Sequence, residues 1–127
     1  MEAKKILLID DDVDIILANT TVLENKGYQV ISAYNGKEGL KKALAENPDL
    51  IVLDVMMSTH SEGFDVSREL RKVPATKNTP IIMLTSVNTT VPFKFEPDAT
   101  YLPVNIFLEK PVSPADLLLQ IETILAK

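Results

Sequence analysis

Five residues capable of chemistry stand at the ends of short apolar runs. Asp10 and Asp11 follow "KILLI", Asp54 closes "LIVLD", Thr85 lies near the end of "PIIMLTS", and Lys110 closes "NIFLEK". Asp54 is the most demanding of them, because Leu50 to Leu53 precede it and Val55, Met56 and Met57 follow. A buried unpaired charge costs several kcal/mol, on the order of a small domain's whole stability margin. Asp54 must therefore be solvated by something, or lie where its strand reaches water. If these ends lie side by side, three carboxylates come within a few ångströms and repel one another unless a cation intervenes. An all-oxygen acidic pocket suits Mg²⁺, a hard ion that takes carboxylates, waters and a substrate phosphate. A hydroxyl and an ammonium complete what phosphoryl transfer needs: neutralised equatorial oxygens and a nucleophile in line. The acceptor in such a set is an aspartate, which forms an acyl phosphate.

The surrounding pattern predicts elements that would bring these ends together. "KILLI" (5–9), "YQVISAY" (28–34), "LIVLD" (50–54), "PIIMLTS" (80–86) and "NIFLEK" (105–110) read as strands, and the lack of polar alternation in "KILLI" implies burial on both faces. Between them lie amphipathic stretches. "DDVDIILANTTVLENKG" carries Val13, Ile16, Leu17, Thr20 and Leu23 as an inward stripe and ends at Gly27. "NGKEGLKKALAEN" opens on Asn35 as cap with Glu38 three residues on, turns Leu40, Ala43 and Leu44 inward, and stops before Pro48. "GFDVSRELRKV" places Val66, Leu70 and Val73 on one helix face. "SPADLLLQIETILAK" has Ser113 as cap, Pro114 at the first helical position and Asp116 in the first turn, with Leu117, Leu118, Ile121 and Leu125 inward. Residues 87–104 break the pattern, with three prolines and no helical stripe, so the fourth crossover helix is expected to be irregular or shortened. Strands alternating with helices imply right-handed parallel βαβ units and a doubly wound α/β sheet. The crevice of such a sheet lies at the carboxyl ends of its strands, where all five residues fall.

Composition narrows the alternatives. The 127 residues make one ordinary domain, expected over 1–127. A net charge of −5 argues against direct nucleic-acid binding or a polybasic membrane surface. The absence of cysteine excludes disulfides, thiol catalysis and thiolate metal sites. "MEAKKILLID" is too short an apolar run for a signal peptide or membrane span, and the expected location is cytoplasmic.

The motifs "LLIDDD", "LIVLDVMM", "IIMLTS" and "FLEKPV", in that order and at suitable spacing over nearly the whole chain, resemble the receiver domain of bacterial two-component response regulators. The resemblance implies a five-stranded flavodoxin-like sheet of order 2-1-3-4-5. It implies Asp54 as phosphoacceptor, served by a sensor histidine kinase or phosphotransfer protein. It further implies Mg²⁺, with Mn²⁺ as a substitute, held by Asp10, Asp11, Asp54 and the backbone carbonyl of Met56. Thr85 and Lys110 would bind the phosphoryl oxygens, Thr85 and Phe107 would act as the switch, and the bond to Pro111 would be cis. The downstream effector, protein or domain, is not named by these motifs.

Several features depart from the family. Ser58 stands where a proline is usual, "MMSTHSEG" is one residue longer than the common loop, and the 87–104 segment is longer and richer in proline. Met56 and Val87 place apolar groups where relatives often carry polar ones that orient water, so self-dephosphorylation is expected to be slow.

Several of these residues also fit plainer roles. Asp12 and Asp14 fit plain helix-start acids. The Asp10, Asp12, Asp14 spacing imitates an EF-hand loop, but Ile15 and Thr21 occupy the positions that need Gly and Glu. Phe107 alternates with Ile106 and Leu108, which also suits core packing. His60 lies in a polar loop, and the Asn19 and Asn88 sequons carry no weight in a cytoplasmic protein. Asp10 and Asp12 also form the Asp-x-Asp of a Mg²⁺-dependent phosphatase resembling the haloacid dehalogenase superfamily, but Asp14 replaces the expected Thr or Val and no acidic pair follows Lys110. An unphosphorylated interaction module of the same fold is the third reading.

Overall fold

A computed structural model of the chain describes residues 4–54, 69, 70, 72, 74, 76, 79–86, 106–110 and 113–125; at 85, 86 and 106–110 it describes the backbone only. Five strands, β1 (Lys5–Ile9), β2 (Gln29–Ala33), β3 (Leu50–Asp54), β4 (Ile81–Ser86) and β5 (Ile106–Lys110), form one sheet in the order β2-β1-β3-β4-β5. Every pairing is parallel. Helices α1 (Val13–Asn25), α2 (Gly36–Glu46) and α3 (Pro114–Leu125) are continuous, and residues 69, 70 and 72 are helical as well. The strand order agrees with the expectation. β2 is two residues shorter and β4 one residue shorter than their apolar runs suggested, and position 105, expected to open the fifth strand, lies outside the described residues. The segment 87–104 and most of "GFDVSRELRKV", with Val66 and Val73, lie outside the described residues.

The unbroken apolar runs are explained by two cores, one on each face. Side chains alternate across a strand. Leu7, Ile9, Ile51, Leu53, Ile81 and Met83 therefore point to one face, where they meet Ala43 of α2 and Leu70. Ile6, Leu8, Leu50, Val52, Ile82 and Leu84 point to the other, against Ile16 and Leu23 of α1 and Leu117, Leu118 and Ile121 of α3. A strand buried on both sides has no position for a polar side chain except at its ends.

Helix ends follow from local chemistry. Asp12 caps α1, its carboxylate accepting from the amides of Asp14 and Ile15. At the other end the amide of Gly27 donates to the Glu24 carbonyl and that of Tyr28 to the Leu23 carbonyl, a Schellman closure with Gly27 at φ 93°. Asn35 caps α2 by accepting from the Glu38 amide, and α2 ends on left-handed Asn47 just before Pro48. Ser113 Oγ accepts from the Asp116 amide at the start of α3.

Two helix faces differ from the sequence-based expectation. In α1 the buried residues are Ile16, Asn19 and Leu23, while Val13 and Leu17 are 52% and 58% exposed. At about 100° per residue, Val13 and Leu17 sit roughly 90° and 130° round from the centre of the buried face. In α2 the face in contact is Gly36, Gly39 and Ala43, Leu40 is half-buried, and Leu44 is 43% exposed. The small residues bring α2 close to the sheet, and Leu44 is turned away. In α3, Leu117, Leu118 and Ile121 are buried as expected and Leu125 is partly so.

Gly39 sets the distance between α2 and β1. A Cβ there would meet Ile9 Cδ1 at 2.5 Å, Cγ1 at 2.8 Å and Cγ2 at 2.9 Å. Ile9 is itself buried in the core, which leaves its side chain little room to shift. Gly39→Ala is expected to destabilise the fold by about 1–2 kcal/mol despite the better helix propensity of alanine, read as a lower urea midpoint at unchanged slope. At Gly27 an added Cβ meets nothing within 4 Å, so Gly27→Ala tests the positive φ alone, at a cost of roughly 1 kcal/mol.

Candidate functional site

The register carries the polar strand ends to one place. Ile9 pairs with Leu53, so Asp10, the next residue, comes beside Asp54. Asp54 pairs with Leu84, so Thr85 follows one step beyond it. Thr85 pairs with Glu109 and Ser86 with Lys110, which puts the Lys110 backbone at the same end of the sheet. Asp10, Asp11 and Asp54 converge until one oxygen from each lies within 4.8 Å of the others. Asp10 and Asp54 are buried, whereas Asp11 is exposed. Asp54 thus does not reach open water as its position at a strand end had suggested. It sits under the rim, and Asp11 forms the solvent-facing arm.

Backbone contacts hold Asp10 in place. Its amide donates to the Ala33 carbonyl of β2 at 3.1 Å, extending the ladder one residue past β1. Its Oδ1 accepts from the Asp12 amide at 2.9 Å, and Asp12 Oδ1 in turn accepts from Asp14 at 3.0 Å and Ile15 at 3.3 Å. The turn from β1 to α1 is therefore built from aspartates bonding forward to amides. Asp12 and Asp14 serve the helix start, as the plain reading had it.

The chemistry of the donor set fits a hard divalent ion, since three carboxylates supply only oxygen at a spacing one ion can span. The side chains of Thr85, Lys110 and Phe107, and all of Met56, Ser58, Val87 and Pro111, lie outside the described residues. Sequence reading missed the packing of Gly39 on Ile9, immediately before Asp10. The signal was a glycine inside an otherwise regular helix, which often marks a close approach.

Residues 6–122 match the response regulator receiver domain family. The chain belongs to that family. Among solved structures, the receiver fold is shared with the chemotaxis protein CheY4 of Vibrio cholerae, at 32% identity and a TM-score of 0.83 over 96% of this chain and 98% of that one. A putative response regulator from Chloroflexus aurantiacus covers 99% of this chain and all of its own at 28% identity and a TM-score of 0.84. Among curated proteins, the alkaline phosphatase synthesis transcriptional regulatory protein PhoP of Bacillus subtilis is 38% identical over 98% of the chain. The transcriptional regulatory protein ResD of the same organism is 35% identical over 97%. The receiver domain spans about half the length of the curated relatives it matches, 49% and 48% of these two. These relatives are transcriptional regulators rather than conventional enzymes. Receiver domains act in phosphorelay signalling, and a phosphoacceptor aspartate and Mg²⁺ dependence are general features of the family. Among the described residues no helix is long and apolar enough to cross a membrane.

The capping role of Asp12 can be separated from the acidic cluster. Asp12→Ala is expected to cost about 0.5–2 kcal/mol in chemical denaturation, and Asp12→Asn only a few tenths, because asparagine caps as well.

Proposed function

We propose that Asp54 of this receiver domain accepts a phosphoryl group from the phosphohistidine of a sensor histidine kinase or phosphotransfer protein. The observation that carries the proposal is the convergence of Asp10, Asp11 and Asp54 on one oxygen-lined point. An Asp54 oxygen attacks phosphorus as the P–N bond breaks. The imidazole nitrogen leaves with the electron pair and takes up a proton. Asp10, Asp11, Asp54 and the Met56 carbonyl would hold Mg²⁺, or Mn²⁺ in its place, which would supply positive charge to the transferring group. Asp54 supplies the nucleophile, and Asp10, fixed by Ala33 and Asp12, holds its carboxylate against the repulsion of its neighbours. Thr85 and Lys110 contribute a hydroxyl and an ammonium to the phosphoryl oxygens.

The same residues read out the event. The new dianion draws Thr85 toward it, Phe107 turns into the space released, and the altered face acts on an effector protein or domain. This requires two packings a few kcal/mol apart, so that one phosphoryl group shifts their populations. The Lys110–Pro111 peptide is cis in this reading. The setting is cytoplasmic, without membrane or direct nucleic-acid contact by this domain.

Incubation with acetyl phosphate and Mg²⁺ is expected to add one phosphoryl group per chain, read by intact mass. Asp54→Ala or EDTA abolishes the addition, and Thr85→Ala and Lys110→Ala leave it but weaken the conformational response. Many equivalents of phosphate released per chain, with dependence on Asp10 as nucleophile, would instead identify a phosphatase of the haloacid dehalogenase type. Loss of the label is expected to be slow, given the apolar residues Met56 and Val87 at positions where relatives often carry polar ones, and decay within seconds would contradict that part.

A further inference from the structure

Among the described residues β2 is an edge strand, with β1 on one side and no strand on the other. In a strand, successive residues direct their amide and carbonyl to alternate sides. Gln29 and Ala33 bond to β1, through the Gln29 amide to the Lys4 carbonyl and the Ala33 carbonyl to the Asp10 amide. The groups of Ser32 and Tyr34 therefore face outward. An outward row of this kind is a template for another strand, and natural proteins block it in various ways.

Two side chains of α2, one turn apart, reach this row. Lys42 Nζ donates to the Ser32 carbonyl at 2.6 Å, and Glu38 Oε1 accepts from the Tyr34 amide at 2.7 Å. Both side chains are half-buried, whereas Lys37 and Lys41 of the same helix are exposed. Donor meets acceptor and acceptor meets donor, as an added strand would do. The two end groups thus occupy the outward positions at the carboxyl end of β2.

We propose that Glu38 and Lys42 form a latch that closes the β2 edge to strand addition, and that a second copy of this chain, pairing β2 with β2 about a two-fold axis, is what the latch excludes. The match is self-complementary, because two identical edges related by a two-fold axis present the same donors and acceptors to each other. The half-exposed Val30 and Ile31 would gain cover from it. This device is independent of phosphotransfer and involves no residue of the acidic cluster.

The test is sedimentation velocity on the whole chain over a range of concentrations. Glu38→Ala with Lys42→Ala is expected to self-associate at a concentration about tenfold below that of the parent chain. Adding Ser32→Pro, which removes an outward amide without touching the β1 ladder, is expected to abolish the gain. Lys42→Arg, which keeps the donor, should behave as the parent. A double variant with parent-like circular dichroism and unchanged sedimentation overturns the proposal, and so does association that Ser32→Pro leaves intact. If the double variant fails to fold, Lys42→Ala alone decides the matter by the same two criteria. Exchange of the Tyr34 amide in Glu38→Ala gives a second reading: no acceleration there would remove Glu38 from the latch.

Discussion

Burial of both faces of the central sheet governs the rest of this receiver domain. Strands enclosed between two apolar layers admit polar side chains only at their ends, and parallel pairing gathers all the carboxyl ends on one edge. Asp10, Asp11 and Asp54 are together because there is nowhere else along β1 and β3 for them to be. Their proximity is unfavourable in itself, since like charges at this spacing repel and two of the three are removed from water. The fold tolerates them because the apolar contacts on either side of β1 and β3 are extensive, and because the Ala33 carbonyl and the Asp12 amide fix Asp10 from two directions.

α2 shows how one short helix serves several ends. Its inward face is made of Gly36, Gly39 and Ala43, so its axis lies close to the sheet and presses on Ile9. That closeness brings Glu38 and Lys42 within hydrogen-bonding reach of the β2 edge. A helix held further off by larger residues would leave those side chains short. Glu38 also lies where a capping-box residue belongs, but it reaches the amide of Tyr34 rather than that of Asn35. The usual N-terminal device has been extended by one residue onto the neighbouring strand.

Much of this architecture was legible in the sequence, for identifiable reasons. Apolar runs of three or four residues with Asp, Thr or Lys at their carboxyl ends, separated by periodic segments, leave few arrangements other than parallel βαβ units. The strand order and the site roles came from resemblance of the motifs rather than from periodicity. What escaped was the rotation of the helices. Val13 and Leu17 satisfy an apolar template as well as Ile16 does, and only the packing of α1 against β2 and α3 decides that Asn19, not Leu17, lies inward. Leu44 was misplaced for a related reason. The template rewards large apolar residues, whereas the actual α2 contact is made by two glycines and an alanine. Contacts made by small residues leave little trace in hydrophobic periodicity.

The repulsion at the strand ends also bears on how such a domain can switch. A site whose own charges oppose one another is stabilised by whatever binds it with positive charge in the folded state alone, in proportion to RT ln(1 + [L]/Kd). Under the proposed function, the cation and the phosphoryl group act on the same electrostatic imbalance with opposite signs. The cation relieves it, and the phosphoryl group restores negative charge in a different place and with a different reach. Coupling to distant surfaces then needs no separate machinery. The strands that end in the site are continuous with both cores, and in close-packed interiors a displaced side chain moves its neighbours between discrete arrangements rather than by gradual yielding.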